Sequence, residues 1–187
     1  MTVYCALFTA FIIVGAYISI PIPIGPVPIV LSDFFVMLTG LFLGWKHGLV
    51  SVALYFILGA LGLPVFAGGR AGLAVIFGPT GGFLFGNFLM VSSIGFIAGK
   101  MKPSIITFII ALITGNFLLY LAGLPWLKTV TGMSWVAALA AGLFPFMAGM
   151  VIKIIAAAAL GRVLLPRFRQ MQASASASAD RENNEGE

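Results

Sequence analysis

The chain has 187 residues, of which 61% are hydrophobic and 8% are charged, and its net charge is +5. A soluble domain carries about 25% charged residues, so this composition excludes a soluble globular protein and indicates an integral membrane protein. The basic surplus lies beside apolar segments, which favours a role in membrane topology over nucleic-acid binding.

The first third of the chain contains three predicted spans. Apolar segments at residues 3–20, 30–44 and 49–63 reach or approach the ~17–25 residues that cross a bilayer as a helix. Residues 21–28 join the first two spans and contain four prolines, so we expect them to run extended at one surface in a polyproline-like conformation. Residues 45–48 are predicted to form the tight turn between the second and third spans.

A stretch that is both glycine-rich and apolar, residues 60–85, follows the third span. Its glycines permit close backbone approach and its prolines stop helices, yet it carries too many large apolar side chains for a flexible linker. Irregular backbone at membrane depth is tolerated only where protein or a water-filled cavity satisfies its polar groups. We expect a lid or re-entrant loop that contributes Phe66, Gly68 and Gly69 to a small-molecule site; the alternative is a flexible surface connection.

The rest of the chain adds three spans, at residues 81–99, 104–122 and 146–165. Residues 123–132 are predicted to form a loop, and residues 134–143 a short helix near the same membrane surface. The chain is thus predicted to be an all-α integral membrane protein with six transmembrane helices and Gly/Pro-rich outer loops.

The sequence predicts two regions and an orientation. Residues 1–170 form the six-helix membrane domain, and residues 171–187 form a disordered polar cytoplasmic tail, because the tail lacks core-forming residues. Six spans place both termini on one side, and only Arg70 and Lys128 fall on the other. The cations on the terminal side are Lys46, Lys100, Lys102, Arg162, Arg167, Arg169 and Arg181. This bias predicts that both termini are cytoplasmic.

Four polar residues on four spans are predicted to share the outer leaflet: Asp33, Asn87, Asn116 and Lys153. Polar groups within spans are costly and are therefore candidates for function. We predict a substrate pocket that opens to the outside, in which Lys153 anchors an anionic ligand. The alternatives are a structural ion pair between Lys153 and Asp33, snorkelling of Lys153, and interhelical hydrogen bonds for the asparagines.

Other motifs bear on catalysis and on partners. The chain has no Walker A, HExxH or GxSxG sequence, and its single cysteine, Cys5, excludes an intrachain disulfide and a thiolate metal cluster. We expect no catalytic site, no cofactor and no metal, and hence no enzyme. Ala6 and Ala10 form a small-xxx-small pair near the cytoplasmic end of the first span, which permits close approach of another helix.

Five stretches resemble the BioY family, the biotin-specific membrane component of energy-coupling-factor transporters. They are PVPI at 26–29, LGLPVFAGG at 61–69, GPTGG at 78–82, GLPW at 123–126 and the run at 149–153. The resemblance implies six helices in the bacterial cell membrane and a vitamin bound at the outer face. It also implies a transmembrane coupling subunit, contacted by Ala6 and Ala10, and two cytoplasmic ATPases. Homo-oligomerisation is left open.

One family motif differs in this chain. The pattern F-L-P-G-D-x-x-K reads Phe146-Met-Ala-Gly-Met-Val-Ile-Lys153, so Lys153 is kept while Met150 replaces the binding aspartate. Either Asp33 or Asn116 compensates, or the ligand is a biotin precursor, an analogue or another small acid. The predicted function is binding of biotin for ATP-driven import. The alternatives are the same scaffold with a different small carboxylate, and a membrane assembly subunit that transports nothing.

Overall fold

The computed structural model describes residues 1–21, 23 and 25–185, and this part of the chain is mostly helical. The helices are α1 (Thr2–Tyr17), α2 (Ser32–Ala60), α3 (Leu73–Ile76), α4 (Gly81–Lys100), α5 (Ile105–Thr131), α6 (Trp135–Gly142) and α7 (Phe144–Glu185). Two short strands, β1 (Ser19–Ile20) and β2 (Ile29–Val30), and a 3₁₀ turn at Ala67–Gly69 lie between them. Helices α2, α4, α5 and the part of α7 up to Gln172 are long and apolar enough to cross a membrane, and α1 is apolar but shorter.

Helix α2 is a helical hairpin rather than one straight rod. Gly44 has φ 71° and ψ −178°, a conformation that is essentially restricted to glycine. Asp33 and Tyr55 line the same cavity, although a continuous helix would separate them by roughly 33 Å at 1.5 Å per residue. The chain therefore reverses direction at Gly44, just before the predicted turn, and residues 45–48 already belong to the returning helix.

Close packing of α4 between α2 and α5 forms the centre of the bundle. Glycines make this approach possible, because a Cβ atom added at Gly95 would lie 2.2 Å from the backbone nitrogen of Trp45. A Cβ atom added at Gly115 of α5 would lie 2.6 Å from Ile94 of α4. Small residues at such crossings let helices associate in lipid, where no hydrophobic drive between helices exists.

The predicted loop at residues 123–132 is wrong, because α5 continues through Pro125 to Thr131. Proline removes one helical hydrogen bond, but tertiary contacts of the next residue compensate. The Trp126 side chain packs on Gly82, where an added Cβ would lie 2.2 Å from the Trp126 Cβ. Its Nε1 donates to the carbonyl oxygen of Gly78 at 2.9 Å. Gly132, with φ 70°, then ends the helix.

Contacts of the linkers with α1 and α6 hold them at one end of the bundle. The Tyr17 hydroxyl donates to the carbonyl oxygen of Pro64 at 2.5 Å. A Cβ added at Gly25 would lie 2.6 Å from the Cβ of Ala141 in α6. On either side of the proline segment, β1 and β2 pair antiparallel, with Ser19 opposite Val30 and Ile20 opposite Ile29. Ile22 and Ile24, within this segment, lie outside the described residues.

Helix α7 runs on into the polar tail as far as Glu185. The domain boundary at residue 170 and the disorder of residues 171–187 stay predictions, and residues 186–187 lie outside the part of the chain that the structure describes.

Candidate ligand-binding site

Lys153 of α7 forms a salt bridge with Asp33 at the start of α2. Its Nζ atom lies 2.8 Å from Oδ1 and 2.9 Å from Oδ2 of Asp33, and it donates to the carbonyl oxygen of Val30 at 2.6 Å. The two side chains are only 12% and 20% exposed. The sequence left this ion pair open as an alternative to ligand binding, and in this structure the pair is formed.

The local chain path explains why Lys153 finds two kinds of acceptor together. Strand β2 ends at Val30 and α2 begins at Ser32, so a backbone carbonyl and a first-turn carboxylate lie within three residues. The backbone N–H of Phe34 also donates to Oδ1 of Asp33 at 3.0 Å. Charges in a membrane interior are stable only when paired in this way.

A cavity of about 80 Å³ adjoins the salt bridge. Its wall combines residues of the linkers with residues of α2, α4, α5 and α7. They are Val27, Pro28, Val30, Ser32, Asp33, Tyr55, Phe66, Ala67, Val75, Thr80, Phe83, Leu84, Asn87, Leu119, Tyr120 and Phe146. An apolar wall with a few convergent polar groups is typical of a small-molecule site.

The cavity is small for a ligand. One water needs about 10–15 Å³, so several waters fit, whereas sites for drug-sized ligands span ~300–1,000 Å³. A more open space of about 380 Å³, which we call the vestibule, shares Pro28 and Ala67 with the cavity wall. Its other lining residues are Ser19, Pro21, Gly25, Pro26, Gly68 and Arg70. The wall between the two spaces, at Pro28 and Ala67, is thus where the cavity would enlarge if it opened into the vestibule.

The glycine-rich stretch supplies part of this wall. Phe66 is 0% exposed, and its ring packs directly against Gly59. A Cβ atom added at Gly59 would lie only 2.1 Å from Cζ of Phe66. The Phe66 ring packs edge-on against Tyr55 with ring centroids 5.5 Å apart. Gly68, with φ 68°, lines the vestibule. Gly69 lies next to Tyr17 and is not among the residues that line either space.

The two asparagines predicted for the site lie in different places. Asn87 is 7% exposed and lines the cavity. Asn116 is 2% exposed, and its Nδ2 donates to the carbonyl oxygen of Leu112 at 2.8 Å. Among the described residues its Oδ1 has no hydrogen-bond partner. The structure therefore brings Asn87, but not Asn116, to Asp33 and Lys153.

Asn116 and Met150 line a separate apolar groove of about 480 Å³ between α5, α6 and α7. Tyr120 lines both this groove and the cavity and therefore separates them. Sequence reasoning did not single out Tyr55 and Thr80, which line the cavity. The available signal at Tyr55 was a hydroxyl group within an otherwise apolar span.

Ala6 and Ala10 are both exposed and lie one turn apart on α1. The opposite face of α1 is fixed to the returning half of α2. There, the Thr9 hydroxyl donates to the carbonyl oxygen of Ser51 at 3.0 Å. The Ser51 hydroxyl in turn donates to the carbonyl oxygen of Cys5 at 3.1 Å. The alanine pair is therefore on the side of α1 that the bundle leaves free.

In the described ranges no three His, Cys, Asp or Glu side chains lie close enough together to hold a metal ion.

Comparisons with known proteins agree with one another. The model of the BioY family matches residues 1–170. The biotin transporter BioY of Thermotoga maritima is 43% identical over 152 residues, which are 81% of this chain and 88% of that protein. The biotin transporter BioY of Rhizobium etli is 36% identical over 183 residues, 92% of this chain and 97% of that protein.

A solved structure is similar over most of the chain. It is the S-component for biotin from an ECF-type ABC transporter, with a TM-score of 0.81 and 33% sequence identity. The match covers 87% of this chain and 89% of the solved one.

Proposed function

The chain belongs to the BioY family, and we propose that it is the biotin-binding membrane subunit of an ATP-driven uptake system. The observation that carries this proposal is the cavity at the linker end of the bundle. It places the Asn87 amide and the Tyr55 and Tyr120 rings in one wall, with the Lys153–Asp33 pair beside them.

Biotin has a carboxylate, a ureido ring and an apolar thioether ring. A cation complements the carboxylate, an amide complements the ureido group, and aromatic side chains complement the apolar ring. In this assignment Lys153 binds the carboxylate, Asn87 binds the ureido ring, and Phe66 and Gly68 belong to the stretch that closes over the ligand. Asn116 and Met150 come within reach of the ligand only when Tyr120 moves.

Calorimetric titration of the purified chain with biotin tests the proposal. We expect tight binding by the wild type and its loss in Lys153→Ala, because Asp33 would then repel the ligand carboxylate. Ile152→Ala is the matched control, since Ile152 is the neighbouring residue of α7 and is exposed. It should bind biotin as the wild type does.

Two results would redirect the assignment. A well-folded wild type that binds a biotin precursor or another small acid, but no biotin, would keep the scaffold and change the ligand. Absence of binding to any such acid would favour a membrane assembly subunit without a solute, in which Lys153 is only a structural partner.

We further propose six membrane crossings with both termini in the cytoplasm of a bacterial cell. The four long apolar helices, the reversal at Gly44 and the apolar α1 support this count, and the distribution of basic residues supports the orientation. In a Cys5→Ala background, Met133→Cys should react with an impermeant maleimide in intact cells and Met101→Cys should not. The reverse labelling would refute the orientation.

Partners and the tail complete the proposal. The exposed pair Ala6 and Ala10 is assigned to a transmembrane coupling subunit, and two cytoplasmic ATPases supply the energy. Residues 171–187 are assigned to a polar cytoplasmic tail outside the membrane domain. Removal of the tail should leave biotin affinity unchanged; a loss of affinity would place the tail within the binding domain.

A further inference from the structure

Three oxygen atoms lie within hydrogen-bond distance of the Lys153 ammonium group. The two carboxylate oxygens of Asp33 lie 2.8 and 2.9 Å from Nζ, and the carbonyl oxygen of Val30 lies 2.6 Å from it. An ammonium group offers three donors and no acceptor. A ligand carboxylate that binds Lys153 must therefore replace an acceptor that is already there.

Asp33 is the acceptor that is free to leave. The Val30 carbonyl belongs to the backbone of β2, which is paired with Ser19 of β1. Asp33 reaches Lys153 through a side chain that is 20% exposed and that lines the cavity. A rotation of this side chain releases the ammonium group without any change in the strand pairing.

The start of α2 offers the released carboxylate another stable position. The first-turn N–H groups of a helix lack intrahelical partners, and the helix dipole favours negative charge there. The N–H of Phe34 already donates to Oδ1 of Asp33 at 3.0 Å. Asp33 therefore keeps the hydrogen bond from Phe34 and the influence of the helix dipole when it gives up Lys153.

Two carboxylates are not expected to share Lys153. Like charges that lie a few ångströms apart in a poorly hydrated site repel each other strongly. A ligand acid thus exchanges one lysine–carboxylate contact for another and gains little from its charge. A neutral ligand of the same shape leaves the Lys153–Asp33 pair intact.

We propose that Asp33 occupies Lys153 in place of a ligand carboxylate while the site is empty and exchanges with that carboxylate on binding. Asp33 thereby determines how strongly the site distinguishes a carboxylic acid from its neutral amide. This inference rests on the proposed function, because it requires a small carboxylate ligand in the cavity.

Calorimetry with biotin and with its primary carboxamide tests the exchange, because the two ligands differ in charge and hardly in shape. The wild type should bind them with affinities within about tenfold of each other. Asp33→Asn removes the competing charge, so biotin should bind about tenfold or more tighter while the amide changes little. Asp33→Glu keeps the charge and is the matched control. Its ratio of affinities for the acid and the amide should equal that of the wild type.

Each outcome decides the matter. An acid-to-amide ratio that stays unchanged or falls in Asp33→Asn overturns the exchange while leaving the proposed function standing. A wild-type preference for the acid above about tenfold also overturns it, because that is the behaviour of an unoccupied cation; this measurement needs no variant to fold. Absence of binding of either compound to the folded wild type refutes the proposed function, and the exchange falls with it.

Discussion

The ion pair of Lys153 and Asp33 is partly shielded, which sets its expected contribution to stability. Fully exposed pairs contribute about 0–1 kcal/mol, whereas removal of one partner of a fully buried pair costs about 3–5 kcal/mol. With exposures of 12% and 20% this pair lies between these limits. When one partner is removed, most of the loss in stability comes from leaving the other charge without a partner in a poorly hydrated site.

A double-mutant cycle measures this coupling. Lys153→Met and Asp33→Asn should each lower the free energy of unfolding by about 2 kcal/mol, because each leaves one charge without its partner. The decrease in the free energy of unfolding of the double variant should be clearly smaller than the sum of the decreases in the two single variants. Denaturation in detergent, followed by circular dichroism, provides the values. Strict additivity would contradict a direct interaction.

The two buried asparagines provide a matched pair for ligand recognition. Asn87→Ala should weaken biotin binding by roughly ten- to a hundredfold, the loss expected for one or two buried hydrogen bonds. Asn116→Leu should leave the affinity unchanged, because Asn116 lines the groove between α5, α6 and α7 and not the cavity. Calorimetry on both variants checks this. Equal losses of affinity in the two variants would mean that the ligand extends beyond Tyr120 to Asn116.

At the scale of elements, the contact between α4 and α5 depends on glycine. Trp126 can donate to Gly78 and keep α5 helical beyond Pro125 because residue 82 has no side chain. The same contact fixes the glycine-rich stretch against the bundle. The path of this stretch therefore depends on a contact with α5, whose Trp126 lies more than forty positions later in the chain.

Two alanine substitutions in α4 separate packing from helix propensity. Gly82→Ala places a Cβ 2.2 Å from that of Trp126 and should destabilise the protein by about 1–3 kcal/mol. Gly99→Ala meets nothing within 4 Å and should be neutral or stabilising by up to about 1 kcal/mol. Thermal unfolding in detergent checks the difference, and equal effects would refute the role of Gly82 in the contact.

At the scale of the whole molecule, binding and transport should be separable. The cavity is formed by the linkers and helices at one end, while Ala6 lies in the first half of α1 and Ala10 at its middle, away from its linker end. A partner that docks on the alanine pair would not touch the ligand. Substitutions on this face should therefore affect uptake and leave affinity alone.

Ala6→Trp and Ala10→Trp should abolish uptake of labelled biotin in cells that contain the partner subunits, because a bulky side chain prevents close helix approach. The purified variants should still bind biotin with wild-type affinity. Ile152→Trp, on the exposed face of α7, is the control and should transport normally. Normal uptake by both alanine variants would place the coupling surface elsewhere.

The sequence alone determined the membrane character of the chain and most of the helix positions. Apolar segments of sufficient length predicted α4 and the body of α7. The short helix predicted at residues 134–143 is α6, and Ser134 caps its start. Such features depend on a residue and its close neighbours in the chain. The same local rules failed at Pro125, where the tertiary contact of Trp126 outweighs the preference of proline.

Only the tertiary structure decided what each polar residue contacts. Asn87 and Asn116 have the same side chain and similar predicted depth, yet the rotation of their helices places one in the cavity and the other in the groove. Lys153 and Asp33 lie 120 positions apart, and their pairing follows from the packing of α7 against the start of α2. Such contacts depend on how distant segments pack together, which local composition does not specify.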